Sequence, residues 1–364
     1  MREIRHQVLE HLRSGSGIVL ATVIRKSGSA PQVPGASALF DSDGLVAGTI
    51  GGGLMEAEVL QIAKKALQSG VSDRYTFDLD EGGPDGAICG GKATVLVDAR
   101  PLDHLNEFER MEEDLSLKKE GCMLTIVSAG ENIGKNIRRS WLTRKGLGQP
   151  IAGLDHVTDA SIREELDHIS FGEFMEIPLS AGDDLIAYLE PVKPLPRLVI
   201  AGAGHVGRAV AHLGKWLQFE VTVIDDREEY VNPRNLPDAD HLLVRNFSDI
   251  FEGIDPDGDT YVVIVTRGHG HDADVLRKCI ASDAAYIGMI GSSRKVAHLK
   301  GELLERGWST REQWERIHTP IGIEINSKTV EEIAVSIAAQ LVAVRNGPHS
   351  RPRGKDISEH SSDG

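Results

Sequence analysis

The stretch that most constrains the fold is residues 198–207, LVIAGAGHVG, an apolar run broken by Gly202, Gly204 and Gly207. In a strand–turn–helix unit, the first glycine permits the turn and the second leaves space for a phosphate beside the backbone. The third lets the helix pack against the strand. A helix that starts near His205 directs its N-terminal amides and its dipole toward that phosphate. The pattern therefore predicts a site for a nucleotide-like ligand.

The sequence beyond the glycines extends this prediction to a whole sheet. A strand predicted over 220–224 ends at Asp225, about 20 residues on, where an acidic side chain would bind a ribose hydroxyl. Alternating strands and helices predict a Rossmann-like parallel sheet with helices on both faces and the ligand at the carboxyl ends of the strands. The predicted strands are 198–201, 220–224, 242–244, 261–265 and 285–290, and the predicted helices are 205–218, 272–282, 294–306 and 329–346.

The loop TRGHGHD, residues 266–272, would lie at the same edge of that sheet. Its candidate site residues are Thr266, His269, His271 and Asp272. They could bind a polar ligand or, less distinctively, a metal. Alternatively, Asp272 caps a helix that starts at Ala273 and the histidines are ordinary surface residues.

A second polar loop follows the strand predicted over 285–290. Residues 291–295, GSSRK, stand at a predicted helix start, where small residues, hydroxyls and two cations suit a phosphate. The candidate site residues are Gly291, Ser292 and Arg294, with Lys295 as the second cation. The alternative is that Ser292 or Ser293 only caps the helix.

The first half of the chain has two features of its own. Gly51, Gly52 and Gly53 run into a predicted helix and form either an anion-binding nest of amides or a tight turn that needs positive φ. Cys89 precedes two glycines. Its thiol could bind a soft metal or accept sulfur, or it could be a small buried residue.

The domain prediction rests on the segment PVKPLP, residues 191–196, whose three prolines indicate an extended linker. Before it, residues 1–190 alternate strands and helices and predict a mixed α/β domain. Residues 197–349 form the Rossmann-like domain, and 350–364 predict a disordered tail. The predicted fold class is α/β throughout.

Composition excludes several classes of protein. A net charge of −15 argues against a nucleic-acid-binding surface. The three cysteines form no CxxC pair, which is typical of a reducing, cytoplasmic compartment. The amphipathic N-terminus is no signal peptide, and no apolar run reaches the ~18 residues of a membrane span. The apolar side of the helix over 329–346 leads us to expect a homodimer.

Together these segments resemble the XdhC/CoxI family, accessory proteins of xanthine dehydrogenase and related molybdenum hydroxylases. The resemblance covers almost the whole chain. It rests on GSAPQVPGA (28–36), GTIGGGLMEAE (48–58), ICGG (88–91), LVIAGAGHVGRAV (198–210), VIDDRE (223–228), VVIVTRGHGHD (262–272), AYIGMIGSSRK (285–295) and PIGIEINSKTVEEIAVSIAAQLVAVRNG (320–347).

The resemblance implies a protein that binds molybdenum cofactor, molybdopterin, and protects it. It further implies that the protein assists sulfuration by a cysteine desulfurase and delivers the cofactor to an apo-hydroxylase. Cys89 would then contact the molybdenum centre or its transferable sulfur. Gln32 and Arg267 depart from the family pattern, which has Arg and His there. The alternatives are an NAD(P)-dependent oxidoreductase and a nucleotide-sensing protein.

Overall fold

The structure is a computed structural model, and it describes residues 4–28, 32–78, 91–128, 137–143, 160, 174–179 and 185–347. Cys89 and the predicted tail over 350–364 lie outside these residues. The chain divides into two compact units, Met1–Pro194 and Leu195–Gly364. Within the described parts, every helix is too short or too polar to cross a membrane.

The first unit contains two antiparallel sheets. The larger has the strand order β3-β2-β1-β5-β4. Its elements, with the helices beside them, are α1 (Arg5–Ser14), β1 (Val19–Gly28), β2 (Ser37–Phe40), β3 (Leu45–Gly48), α2 (Gly53–Ser69), β4 (Asp73–Asp78) and β5 (Gly91–Asp98). Strand β1 reads as one apolar run because both its faces are covered. Leu20 packs toward α1, whereas Val19 and Ala21 pack toward α2.

The smaller sheet has the order β7-β6-β9-β8. Its elements are α3 (Leu105–Ser116), β6 (Gly121–Ser128), β7 (Arg138–Thr143), β8 (Met175–Leu179) and β9 (Leu185–Val192). Pro191 and Val192 pair with Cys122 and Gly121 of β6. The first two residues of the predicted 191–196 linker are therefore strand. Proline is compatible with a strand at a position whose N–H would take no part in the ladder of hydrogen bonds.

The second unit is a six-stranded sheet of order β12-β11-β10-β13-β14-β15 in which all neighbours are parallel. This confirms the predicted α/β class and the Rossmann-like parallel sheet. Its elements are β10 (Arg197–Ala201), α4 (His205–Trp216), β11 (Glu220–Asp225), β12 (His241–Val244), β13 (Thr260–Ile264), α5 (His269–Cys279), β14 (Tyr286–Met289), α6 (Ser293–Glu305), α7 (Arg311–Glu315), β15 (Ile317–His318) and α8 (Val330–Asn346).

Each face of this sheet has its own hydrophobic core. Val199 and Ala201 of β10 pack on the side of α5 and α6, whereas Leu198 and Ile200 pack on the side of α4 and α8. The strand order reverses between β10 and β13, so the loops that follow these two strands flank the switch point. Ligands bind at such a point in open parallel sheets.

One prediction is wrong here, and the argument for another is removed. The helix predicted over 272–282 begins three residues earlier, at His269, with Gly268 as its N-cap. Asp272 is therefore inside the helix and caps nothing. The apolar side of α8 is used within the unit, because Ala334, Ile337 and Leu341 are buried in the sheet core. That face no longer argues for a dimer.

The helix α4 approaches β10 more closely than a side chain would allow, so we predict that Gly207→Ala is strongly destabilising. A Cβ there would lie 1.8 Å from the Gly202 carbonyl oxygen. We expect a loss of about 3 kcal/mol or more in urea unfolding, because backbone must move. Gly301→Ala is the matched control, with no atom within 4 Å of its Cβ. It should stabilise the helix by up to ~1 kcal/mol. Equal effects would refute the packing argument.

Candidate functional site

The candidate site lies where the loops after β10 and β13 meet. The amide of Gly202 donates to the Ile224 carbonyl at 2.8 Å, and the Val265 amide donates to the Ala201 carbonyl at 2.9 Å. Gly202 has φ +117°, and a Cβ would lie 2.5 Å from the Val265 carbonyl oxygen. Only glycine satisfies this turn, which brings the backbone of β10 beside the start of the β13 loop.

Both helices at the switch point begin without a side-chain cap. Gly204 is the N-cap of α4 and Gly268 is the N-cap of α5, and neither start has a capping hydrogen bond. The other three helices of the unit are capped by Ser292, Thr310 and Thr329. The first-turn amides of α4 and α5 therefore lack a side-chain acceptor and, with the helix dipole, favour an anion.

Gly204 differs from the other two motif glycines. A Cβ at Gly204 would have no heavy atom within 4 Å, and its φ of −73° is open to any residue. Folding therefore does not require glycine at this position. Open space beside uncapped amides is what the approach of a phosphate needs.

Asp225 is engaged by donors within the protein, and its predicted ribose contact stays a prediction. Its Oδ2 accepts the Ala203 amide at 2.8 Å and the Arg227 Nη2 at 2.9 Å. Its Oδ1 accepts the Arg227 amide at 3.1 Å and Nε at 2.8 Å. Desolvation raises the pKa of this buried carboxyl, but hydrogen bonds from Arg227 and from the Ala203 amide outweigh it and lower the pKa to about 2. With both oxygens engaged internally, Asp225 positions the glycine loop.

Asp272 is also fully buried, and it links the loops after β13 and β14. It accepts the Thr266 hydroxyl at 2.6 Å and forms an ion pair with the Lys295 ammonium. Lys295 also donates to the Ile290 carbonyl at 3.4 Å. The pair joins the first turns of α5 and α6, so Thr266 and Asp272 are parts of the framework behind the site.

Asp226 and Arg267 make a third polar link at this edge. The Arg267 Nη2 donates to the Asp226 Oδ2 at 2.8 Å. The Asp226 Oδ1 is buried and accepts no hydrogen bond within the described part of the chain. Arg267 itself is half-exposed, with 47% of its side-chain surface open. The edge therefore carries one half-exposed cation beside one buried acceptor that has no donor.

The remaining predicted residues differ in position. His205 is exposed at the start of α4, and Arg294 is exposed on α6. His271 packs against Phe247, with ring centroids 4.9 Å apart. Ser292 accepts the Lys295 amide at 3.4 Å, which is the N-cap interpretation, and Gly291 precedes it. Only the backbone of His269 is described, and no group of three His, Cys, Asp or Glu side chains fit for a metal occurs among the described residues.

In the first unit, Gly51, Gly52 and Gly53 have φ of +128°, +71° and +60° and lead into α2. The Glu56 carboxylate accepts the Thr49 hydroxyl at 2.9 Å, which in turn accepts the Gly51 amide at 3.1 Å. These bonds fit the tight-turn interpretation, and the anion nest stays a prediction.

Cys122 and Cys279, the two described cysteines, are free and buried. Burial raises the pKa of the Cys122 thiol far above its usual range and that of Cys279 to about 12. Neither is a reactive thiol.

Sequence reasoning missed Asp226, and it expected Lys295 to be a cation for a phosphate, whereas the structure pairs Lys295 with Asp272. Asp226 directly follows Asp225, which already matches the ribose position in the motif. The two residues can be told apart only by asking which carboxylate still has an oxygen without a donor. Lys295 lies three residues after the predicted cap Ser292, in the first turn of the helix. Its burial against Asp272 needs the fold.

We predict that Asp225→Asn costs about 2 kcal/mol or more at pH 7, because it removes a buried charge from Arg227. The depressed folded pKa means that this stabilisation is complete above the ordinary value of 3.8 and disappears as the pH falls through about 2. The difference from wild type in urea unfolding should shrink below pH 4. Asp238→Asn, an exposed partner of His212, should cost under ~0.5 kcal/mol. A pH-independent difference would contradict the assignment.

Lys295→Met should cost about 3 kcal/mol, because it leaves the fully buried Asp272 without its cation. The double variant Asp272→Leu/Lys295→Met should recover most of that loss, since no charge stays buried. Urea unfolding of the two single variants and the double variant measures the coupling. Additive losses would show that the pair is not a unit.

Two family models match the sequence. The XdhC Rossmann domain matches residues 198–341, and the XdhC and CoxI family matches residues 11–78, together more than half of the chain. The first includes the whole carboxyl edge described above. The second includes the glycine turn before α2.

Three individual proteins are similar to this chain. The chain is 37% identical over 152 residues to the uncharacterized protein YqeB of Escherichia coli, covering 42% of this chain but only 28% of YqeB. It is 24% identical to a Bacillus subtilis protein named as a probable xanthine dehydrogenase subunit, and the match covers 90% of this chain and 93% of that protein. It is 23% identical to the molybdenum cofactor insertion chaperone PaoD of Escherichia coli, and the match covers 94% of this chain and 88% of PaoD.

A crystal structure described as a xanthine dehydrogenase from Bacillus halodurans has the same fold. The TM-score is 0.78 at 24% identity, with 97% of this chain and 98% of that chain covered. The glycine-rich turn and the parallel sheet are the features that a match to the XdhC Rossmann domain predicts. The chain belongs to the XdhC/CoxI family.

Proposed function

We propose that this chain is an accessory protein that binds molybdenum cofactor and promotes its insertion into a molybdenum hydroxylase. Membership in the XdhC/CoxI family supports this, as does similarity over most of both chains to a relative named as a molybdenum cofactor insertion chaperone. The client would be xanthine dehydrogenase or a related hydroxylase, in line with the name of the Bacillus subtilis relative.

The observation that carries the proposal is the pair of uncapped helix starts at the switch point. Molybdopterin carries a phosphate, and an anion of that kind fits amides that no side chain of α4 or α5 satisfies. Gly204 would border the phosphate, and the exposed His205 and Arg267 could supply further donors. The bound cofactor supplies the molybdenum chemistry, which the client enzyme uses.

Sulfuration is the finer part of the proposal. The family resemblance implies a cysteine desulfurase as a second partner and the Cys89 thiolate as the group nearest the metal or its transferable sulfur. The other two cysteines support this choice indirectly, because burial keeps both in the thiol form. A thiolate is a suitable ligand for a soft, sulfur-rich metal centre.

An NAD(P)-dependent oxidoreductase is the competing function. Its dinucleotide would need a carboxylate for the ribose at the end of β11. Asp225, which the spacing selects, has both oxygens engaged by Ala203 and Arg227. The neighbouring Asp226 still has an oxygen without a donor among the described residues, so these carboxylates alone do not decide between the two functions. The family comparisons favour cofactor delivery, and a titration with NAD separates the two functions.

The test is to purify the chain from cells that make molybdenum cofactor and to measure its absorption spectrum and the mass of any released pterin. We expect bound pterin in the wild type and a strong reduction in Gly204→Val, because a branched side chain would occupy the open space beside the amides. Gly258→Val is the matched control, since its Cβ is equally open and it precedes the amino end of β13.

Thermal melting of both variants completes the test. Gly204→Val should melt close to wild type, so that a binding loss is separable from unfolding. Cys89→Ser should fold normally yet fail to support the hydroxylase. A wild type without pterin that instead saturates with NAD would refute cofactor delivery, and full transfer by Cys89→Ser would refute the sulfur role.

A further inference from the structure

The ion pair between Asp226 and Arg267 spans the carboxyl end of β10. Asp226 immediately follows β11 and Arg267 lies in the loop after β13, and these strands are the two neighbours of β10. The link therefore joins the loops on both sides of the glycine turn. We call this pair, Asp226 with Arg267, the strap.

The strap leaves one acceptor unused. The Asp226 Oδ1 is buried without a hydrogen-bond donor among the described residues, and the Arg227 Nε lies 3.9 Å from it. Arg227 cannot turn toward it without loss, because its guanidinium already binds both oxygens of Asp225 and lies 3.9 Å from the ring centroid of Tyr230. A buried carboxylate oxygen without a donor is costly.

We propose that Arg267 and Asp226 are ligand-binding residues that pair with each other until a ligand separates them. Arg267 exchanges the Asp226 carboxylate for a phosphate group of the ligand at the uncapped ends of α4 and α5. Asp226 then accepts a hydrogen bond from a hydroxyl or N–H group of the same ligand. This inference rests on the proposed function and names the recognition that the site performs.

The charges and exposures favour such an exchange. A half-exposed ion pair is weak, and replacing one anion with another at Arg267 keeps its charge compensated. A phosphate offers the planar guanidinium two acceptors, which strengthens the new pair. In the neighbouring pair of Asp225 and Arg227, the Asp225 carboxylate is buried. It accepts three hydrogen bonds from Arg227 and one from the Ala203 amide, so this pair stays in place.

The strap therefore selects a ligand with two features. An anion alone must compete with Asp226 for Arg267 and leaves that carboxylate without a partner. A ligand with both a phosphate and an adjacent donor satisfies both residues at once. Pterin and nucleotide phosphates belong to this class, whereas inorganic pyrophosphate has no sugar hydroxyl and no ring N–H group.

Calorimetric titration of the full chain with inorganic pyrophosphate and with guanosine diphosphate tests this selection. We expect Arg267→Gln to weaken both probes about tenfold, since a charge-assisted hydrogen bond is lost. Arg267→Lys should recover part of the loss, because it keeps the charge but not the fork. Asp226→Asn should bind pyrophosphate several-fold more tightly, since no carboxylate competes for Arg267, and should lose its preference for guanosine diphosphate.

The double variant Asp226→Asn/Arg267→Gln separates the strap from a general change of charge. If Asp226 acts through Arg267, the gain in pyrophosphate affinity should vanish in the double variant. Arg306→Gln is the matched control, because it breaks an exposed 3.1 Å ion pair with Glu302 at the far end of α6. That variant should change neither affinity, and melting curves should show that all variants fold.

Three results would overturn the inference. One is an Arg267→Gln variant with unchanged affinities, and another is an Asp226→Asn gain that persists without Arg267. In both cases the wild type still binds phosphate and retains pterin, so the proposed function stands. The third is a wild type that binds neither probe, since no anion then displaces Asp226, and the pterin measurement decides the proposed function separately.

Discussion

The carboxylate of Asp225 is the interaction on which the arrangement of the second unit's edge depends. It binds the amide of Ala203 in the glycine turn and the guanidinium of Arg227 beyond its own strand. The end of β11 is thereby tied to the end of β10, and the direction in which α4 leaves the sheet is set. Without that acceptor, the Ala203 amide would be buried without a partner.

The same residue explains why an acidic side chain at this spacing is an ambiguous sign of function. A ribose contact and a loop anchor require the same residue type at the same place. They differ only in which donors reach the oxygens, and those donors come from elements distant in sequence. A ligand that binds here must use backbone amides and neighbouring side chains, because the most obvious acceptor is already engaged.

Much of the second unit could be predicted from the sequence, since buried parallel strands read as apolar runs and alternate with amphipathic helices. Gly202 and Gly207 have the predicted roles because backbone crowding depends on local geometry alone. The start of α5 was placed three residues late, since GHGH contains no helix-start signal other than Gly268. The partners of Asp272 and Asp226 were not predictable, as each lies on another loop.

The first unit was less predictable for a physical reason. Its sheets are antiparallel, and β1 pairs with β5 and β9 with β6 across long stretches of chain. Short strands such as β8 carry little periodicity of their own. In the proline-rich segment, Pro191 and Val192 lie in β9, and the division between the two units follows Pro194.

The link between Asp272 and Lys295 has a consequence for how the edge of the sheet responds to force. It fastens the first turn of α5 to that of α6, and Ser292 caps the latter. The loops after β13 and β14 are therefore joined through a fully buried carboxylate, whereas Arg267 reaches the β11 side across β10 through a half-exposed ion pair. Separating Arg267 from Asp226 should cost less than separating Lys295 from Asp272, so any adjustment of this edge to ligand size is expected on the Asp226 side.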